Sequence, residues 1–167
     1  MAAESGSATC ARLLLDAGVD LGRYPDDEEH PLSVSRSLGV LETLLAAGAD
    51  PRHDEGGRRS VVESVARNGT VAIEERVRML QALRAAGADL DHVTDWATPL
   101  FGAAMNGEDD AVEALLVAGA DPFRTPTGLQ GVCFSAITGP HPGVERVVDL
   151  LIAAGLDPDE PDEHGLR

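Results

Sequence analysis

Short apolar stripes recur along the chain, and each ends in the same punctuation. Leu14-Leu15, Leu44-Leu45, Leu83, Leu115-Leu116 and Leu151-Ile152 each precede a glycine by about one helical turn. A small apolar residue and then aspartate follow, as in Gly18-Val19-Asp20, Gly48-Ala49-Asp50, Gly87-Ala88-Asp89, Gly119-Ala120-Asp121 and Gly155-Leu156-Asp157. Leucines so placed lie on the buried stripe of an amphipathic helix. Glycine after the last turn takes the left-handed conformation that closes a helix without a Cβ penalty. The aspartate, followed by proline at Pro51, Pro122 and Pro158, starts a turn. Successive glycines are 30, 39, 32 and 36 residues apart, a mean of (155 − 18)/4, a little over 34. That period is the mark of a repeat array.

The most complete copy runs from His92 to Phe123. Thr98-Pro99-Leu100 opens its first helix, with threonine as N-cap and proline at N1, where no hydrogen bond is lost. Ala103-Ala104 are small enough to let neighbouring helices approach, and Asn106-Gly107 ends the helix. Ala111, Val112, Leu115 and Leu116 then predict a second helix from their spacing. In order and spacing these motifs resemble the ankyrin repeat. The resemblance extends over nearly the whole chain. It implies an all-α solenoid in which each unit is a β-turn or hairpin followed by two antiparallel helices.

The other copies depart from the pattern. His30-Pro31-Leu32 stands for Thr-Pro-Leu in the second copy, with His30 in the capping place. Arg36 falls there where a small alanine is expected, which weakens that copy's first helix. In the third copy Ser60-Val61-Val62 replaces the motif, followed by Val65-Ala66 and Asn68-Gly69. Gly69 to Gly87 is 18 residues against 12 from Gly107 to Gly119, so six are inserted, predicting a longer second helix from Glu74 to Ala86. The fifth copy has Gly131-Val132-Cys133 and Ser135-Ala136, with Pro140, Pro142 and Gly143 lengthening its loop. One domain, residues 1–167, is expected, divided into a partial unit 1–22, then 23–52, 53–91, 92–123 and 124–159, with 160–167 beginning another. Ala2-Ala3 and Gly6 align with Ala103-Ala104 and Gly107, which predicts a helix ending at Gly6. The last second helix, with Val147, Val148, Leu150, Leu151 and Ile152, lacks the polar outer face of a dedicated cap. This favours a piece of a longer array, or an end covered by a partner, over a natural short form.

Acidic residues number 29 and basic ones 13, all arginine, so the net charge is −16. That charge opposes binding to nucleic acid or to anionic lipid. No apolar run reaches the ~18 residues of a membrane span, and no signal-peptide pattern opens the chain. Cys10 and Cys133 form no CxxC pair, so structural zinc and a disulfide framework are not expected. A reduced, cytoplasmic protein is the expectation.

No catalytic residues, metal ligands or cofactors are assigned. His30, His53, His92, His141 and His164 are scattered through different units. Nearly all are expected in turns where the ring is solvated. No pattern pairs a nucleophile with a base. Acidic runs at Asp26–Glu29 and Asp157–Glu163 read as solvated turns or as docking patches for a basic partner. Arg58, His53 and Arg67 belong to the small basic cluster, suited either to carboxylate recognition or to local pairing. Trp96, beside Asp95, lies in a turn just before Thr98; it is either a binding hot spot or a packing residue. Phe123, followed by Arg124, has the same ambiguity. By resemblance, Arg67-Asn68 and Met105-Asn106 occupy matching sites lining a concave groove, with Ile137-Thr138 next along. The expected function is non-enzymatic binding of a protein partner, basic in character, through the concave face and the turn tips. The alternatives are an immunity- or antitoxin-like inhibitor of a basic enzyme, an enzyme or ligand-binding protein on this scaffold, and a segment of a larger multidomain protein.

Overall fold

The computed structural model describes residues 2–18, 30–53, 59–94, 97–124 and 142–157. Among these, seven helices and no strand form an all-α architecture: α1 (Ala2–Asp16), α2 (Leu38–Ala46), α3 (Val61–Ala66), α4 (Ile73–Ala85), α5 (Pro99–Met105), α6 (Asp109–Ala118) and α7 (Val144–Ala153).

The helix starts follow their capping residues. The hydroxyl of Ser60 accepts the Glu63 N–H (3.1 Å), and that of Thr98 accepts the Phe101 N–H (3.2 Å). Ser37 caps α2 in the same way through Val40 N–H. Each bond satisfies one of the orphan donors of a first turn.

The helix ends follow the Leu…Gly-x-Asp signature. Gly18, Gly48, Gly87, Gly119 and Gly155 all have positive φ, between 88° and 104°. The residue after glycine reaches back to a leucine carbonyl: Ala49 to Leu44, Ala88 to Leu83, Ala120 to Leu115 and Leu156 to Leu151, at 3.0–3.1 Å. This is the Schellman closure, in which the donor's side chain also packs on the helix it closes. All eight of those residues are buried. The aspartate then folds the turn. Its carboxylate accepts the N–H two residues on, from Asp50 to Arg52, Asp89 to Asp91 and Asp121 to Phe123.

Packing arranges the helices in two layers. α1 packs on α2, α2 on α4, α4 on α6 and α6 on α7, while α3 and α5 lie against α4 and α6 respectively. Leu41, Leu44, Met79, Leu80, Leu83, Val112, Leu115, Val147 and Leu151 fill one side of the shared core. Val61, Val62, Val65, Ala66, Leu100, Phe101, Ala103 and Ala104 fill the other. Neither layer buries its apolar stripe alone, so stacking carries the stability.

Three details differ from the sequence reading. The helix end expected at Gly6 is absent, and α1 runs through it. Extending a helix adds one hydrogen bond per residue, whereas a second helix needs a new nucleus, and one internal glycine costs only about 1 kcal/mol. The first helix of the 23–52 copy is reduced to one turn at 31–34, closed by bonds from Ser33 and Val34 N–H to the His30 carbonyl. Finally, His30 is not solvated but 2% exposed. The six inserted residues of the third copy divide evenly. α4 has 13 residues against 10 in α6, and the α3–α4 connection (67–72) has six against three in α5–α6 (106–108). The hairpin is a single bridge in which Thr94 and Ala97 exchange backbone hydrogen bonds. The first helix of the fifth copy, Cys133 and both acidic runs, apart from Asp157, lie outside the described residues.

Candidate partner-binding face

The turn tips and the C-terminal ends of α3 and α5 carry the side chains expected to meet a partner. Asn106 follows α5 and is exposed, its amide donating to the Gly102 carbonyl at 2.8 Å. Met105 beside it is partly buried against the core. Asn68 holds the equivalent place after α3. Its amide donates to the Ser35 carbonyl (3.5 Å) and its carbonyl oxygen accepts from Thr70.

Arg67 is less available than its position suggested. Its guanidinium lies 2.9 Å from Glu63 Oε1 and 2.6 Å from Glu108 Oε1, joining the end of α3 to the start of α6. Burial pulls the guanidinium pKa down, but the hydrogen bonds and charges of Glu108 and Glu63 outweigh it and leave the net shift upward. His53 is likewise partly buried. Its ring stacks on His30 with centroids 4.4 Å apart, and its Nε2 is buried without a hydrogen-bond partner.

In the turn after α6, Phe123 is 50% exposed, with its ring edge beside Gly155. Arg124 is exposed and pairs with Asp89 in the preceding turn at 3.4 Å. Asp91 strengthens that seam, its carboxylate accepting the Asp121 N–H at 2.9 Å. Burial pushes the Asp91 carboxyl above the usual carboxylate range, against the pull of the Asp121 hydrogen bond. Neighbouring Val93 is 47% exposed. Thus Asn106, Phe123, Arg124 and Val93 present side chains to solvent, while Arg67 and His53 are held within the solenoid. Trp96, Asp95 and Arg58 lie outside the described residues.

Sequence reasoning missed Asp91, Val93 and the His30–His53 stack. Asp91 had a signal, a second carboxylate two residues after Asp89 with only Leu90 between. The stack had none, since its two residues are 23 positions apart, off the repeat period. An open cleft of about 220 Å³ lies between α1 and α2, lined by Ala8, Thr9, Arg12, Leu13, Asp16 and Thr43. Among the described residues, no three His, Cys, Asp or Glu are grouped to hold a metal, and no helix is long and apolar enough to cross a membrane.

The family model of the ankyrin repeat matches residues 95–125. No curated protein matches the chain. The matched segment is the copy with the most complete motif, and it contains the Thr98 cap, α5, α6 and the Gly119 closure. Side-chain caps recur before it at Ser37 and Ser60, the glycine closures recur on both sides at Gly48, Gly87 and Gly155, and the chain carries an ankyrin repeat at residues 95–125.

Proposed function

We propose that this chain is a non-enzymatic module of five repeats that binds a protein partner through its turn tips and the ends of its first helices. The observation that carries the reading is the ankyrin repeat at 95–125, a type of unit that serves protein–protein interaction. Around it, Asn106, Phe123, Arg124 and Val93 are exposed on well-packed supports. A surface held in place by capped helices loses little entropy on docking. Trp96 and Asp95, close to Val93 in sequence, are proposed to extend the face. Arg58, two residues before the Ser60 cap in sequence, is proposed as its basic edge. Met105 and Asn68 support it from below, and Arg67 and His53 shape it through their internal contacts.

The partner proposed is basic. Of the arginines described, Arg67, Arg76, Arg78, Arg124 and Arg146 all pair with carboxylates of the same chain. The net charge of −16 is therefore expressed by the remaining acids, which favours capture of a cationic protein. This same balance supports the second reading, an inhibitor that masks a basic enzyme. A cytoplasmic location, without nucleic acid or membrane as a partner, fits both.

The test is affinity capture from the source cell's lysate with the wild type and a Trp96→Ala/Phe123→Ala variant shown to be folded. A stoichiometric protein retained by the wild type and lost by the variant supports the binding face. Equal retention by both places the interface elsewhere. Loss of the captured protein's enzymatic activity on binding selects the inhibitor reading.

A further inference from the structure

Both asparagines of the chain are followed by glycine, Asn68-Gly69 after α3 and Asn106-Gly107 after α5. An asparagine in that setting is open to attack by the next backbone nitrogen, because glycine has no Cβ to shield it. The fold treats the two places differently. After α5 both reacting groups are held. The Asn106 amide donates to the Gly102 carbonyl at 2.8 Å, and Gly107 N–H donates to the Ala104 carbonyl at 3.1 Å within the short connection 106–108. After α3 the amide's bond to the Ser35 carbonyl is long, 3.5 Å, and Gly69 N–H reaches only two residues back, to the Arg67 carbonyl. The connection there is longer, 67–72, and Gly69 and Thr70 are exposed. Thr70 also aims two donors at the Asn68 side-chain oxygen, its N–H at 3.2 Å and its hydroxyl at 2.6 Å.

We propose that Asn68-Gly69 is a self-modifying site, at which the chain converts Asn68 to aspartate and isoaspartate with water as the co-reactant. Gly69 N gives its proton to solvent and attacks Asn68 Cγ. As that C–N bond forms, the carbonyl electron pair moves onto Oδ1, where the Thr70 N–H and hydroxyl already donate. Donors placed in advance on a developing oxyanion lower the barrier to it. The pair then returns, the Cγ–Nδ2 bond breaks, and ammonia leaves with a proton taken from solvent. Water opens the resulting five-membered imide. Addition at Cγ breaks the Cγ–N bond and yields aspartate. Addition at the main-chain carbonyl breaks that C–N bond and yields isoaspartate. In both cases Gly69 N regains a proton.

Either product carries a carboxylate in place of the amide. It adds one negative charge at the end of α3. It also removes the donor that met the Ser35 carbonyl, which unties α3 from the segment before α2. The chemistry is independent of any partner.

The test incubates the full chain, folded and in concentrated urea, at mildly alkaline pH. Peptide mapping by mass spectrometry follows amide-to-acid conversion at both asparagines. In the folded wild type, Asn68 is expected to react about tenfold faster than Asn106, the rate equivalent of one hydrogen bond to a developing charge. In urea the two rates are expected to agree within about threefold, because the contacts that separate them are gone. Thr70→Val keeps the N–H but loses the hydroxyl and is expected to slow Asn68 in the folded chain, while Thr70→Ser restores the rate. Gly69→Ala, whose Cβ would meet nothing within 4 Å, keeps the fold and is expected to slow the reaction by shielding the nitrogen. Asn106 reacting as fast as Asn68 in the folded chain overturns the proposal. So does an Asn68 lead that persists in urea, or a Thr70→Val rate equal to wild type.

Discussion

Arg67 Nη2 lies 2.6 Å from Glu108 Oε1, tying the end of α3 to the residue that precedes α6. The link is one of several in which an arginine of one helix pair reaches the next. Arg76 reaches Asp110, Arg84 donates to the Ala118 carbonyl, and Arg146 pairs with Asp109 and Glu113. With Arg124, which pairs with Asp89, five of the ten described arginines thus stitch neighbouring units.

If Arg67 is a stitch, Arg67→Met is expected to destabilise by about 1 kcal/mol, because it leaves Glu63 and Glu108 without their shared cation. Glu108→Gln is expected to cost less, since Arg67 keeps Glu63. Urea denaturation at low and high salt reads both, and the difference between wild type and Arg67→Met narrows as salt screens the pair. Partner affinity lost in Arg67→Met with stability intact would return Arg67 to the binding face.

Arg76 is 3% exposed and donates to the Ala66 carbonyl at 2.8 Å, closing the end of α3 from inside the core. Arg76→Ala is expected to cost about 2–4 kcal/mol, through a cavity and an orphaned carbonyl. Arg76→Met refills the volume and is expected to cost about half as much. Asp110→Ala is expected to cost less than Arg76→Ala, because Arg76 keeps its bond to the Ala66 carbonyl, but more than the loss of a surface pair, because it leaves a buried cation without its carboxylate. Chemical denaturation of the three variants ranks them.

Gly143 sits at the start of α7 with φ 98°, and a Cβ there would come within 2.6 Å of the Gly107 carbonyl oxygen. Gly87 has a similar φ of 104° but open space around it. Gly87→Ala is therefore expected to cost only the backbone strain, about 1–2 kcal/mol. Gly143→Ala is expected to cost about 3 kcal/mol or more, since backbone of α5–α6 must move as well. Thermal melts of the two variants measure the gap.

Asp91 gives a pH prediction. Burial raises its carboxyl pKa in the folded state. A raised folded value means that its contribution is fully present below the unfolded carboxylate pKa and is lost as pH rises through the folded one. Asp91→Asn, whose side-chain oxygen can still accept the Asp121 N–H, is therefore expected to be at least as stable as wild type near neutral pH. The wild type is expected to gain on the variant as pH falls through the carboxylate range. Denaturation midpoints across that range test it, and a wild-type advantage that grows with pH would contradict the burial argument.

The elements legible in the sequence are those made by local chemistry. The Gly-x-Asp signature dictated where helices end, because a left-handed closure and the turn after it involve residues only a few positions apart. Thr98-Pro99 and Ser60 dictated where α5 and α3 begin for the same reason, and leucine spacing located the buried stripe. Periodicity also located the extra length between Gly69 and Gly87, although not its division between helix and loop. The status of individual side chains was decided by tertiary structure. Arg67, read as a surface cation, is committed to Glu108, 41 residues away, and His30, read as a loop histidine, is buried against His53. A repeat sequence specifies which residues occupy equivalent places in successive units. Which of them face solvent and which face a neighbour depends on how the units stack, because burial and charge pairing are properties of the space between them.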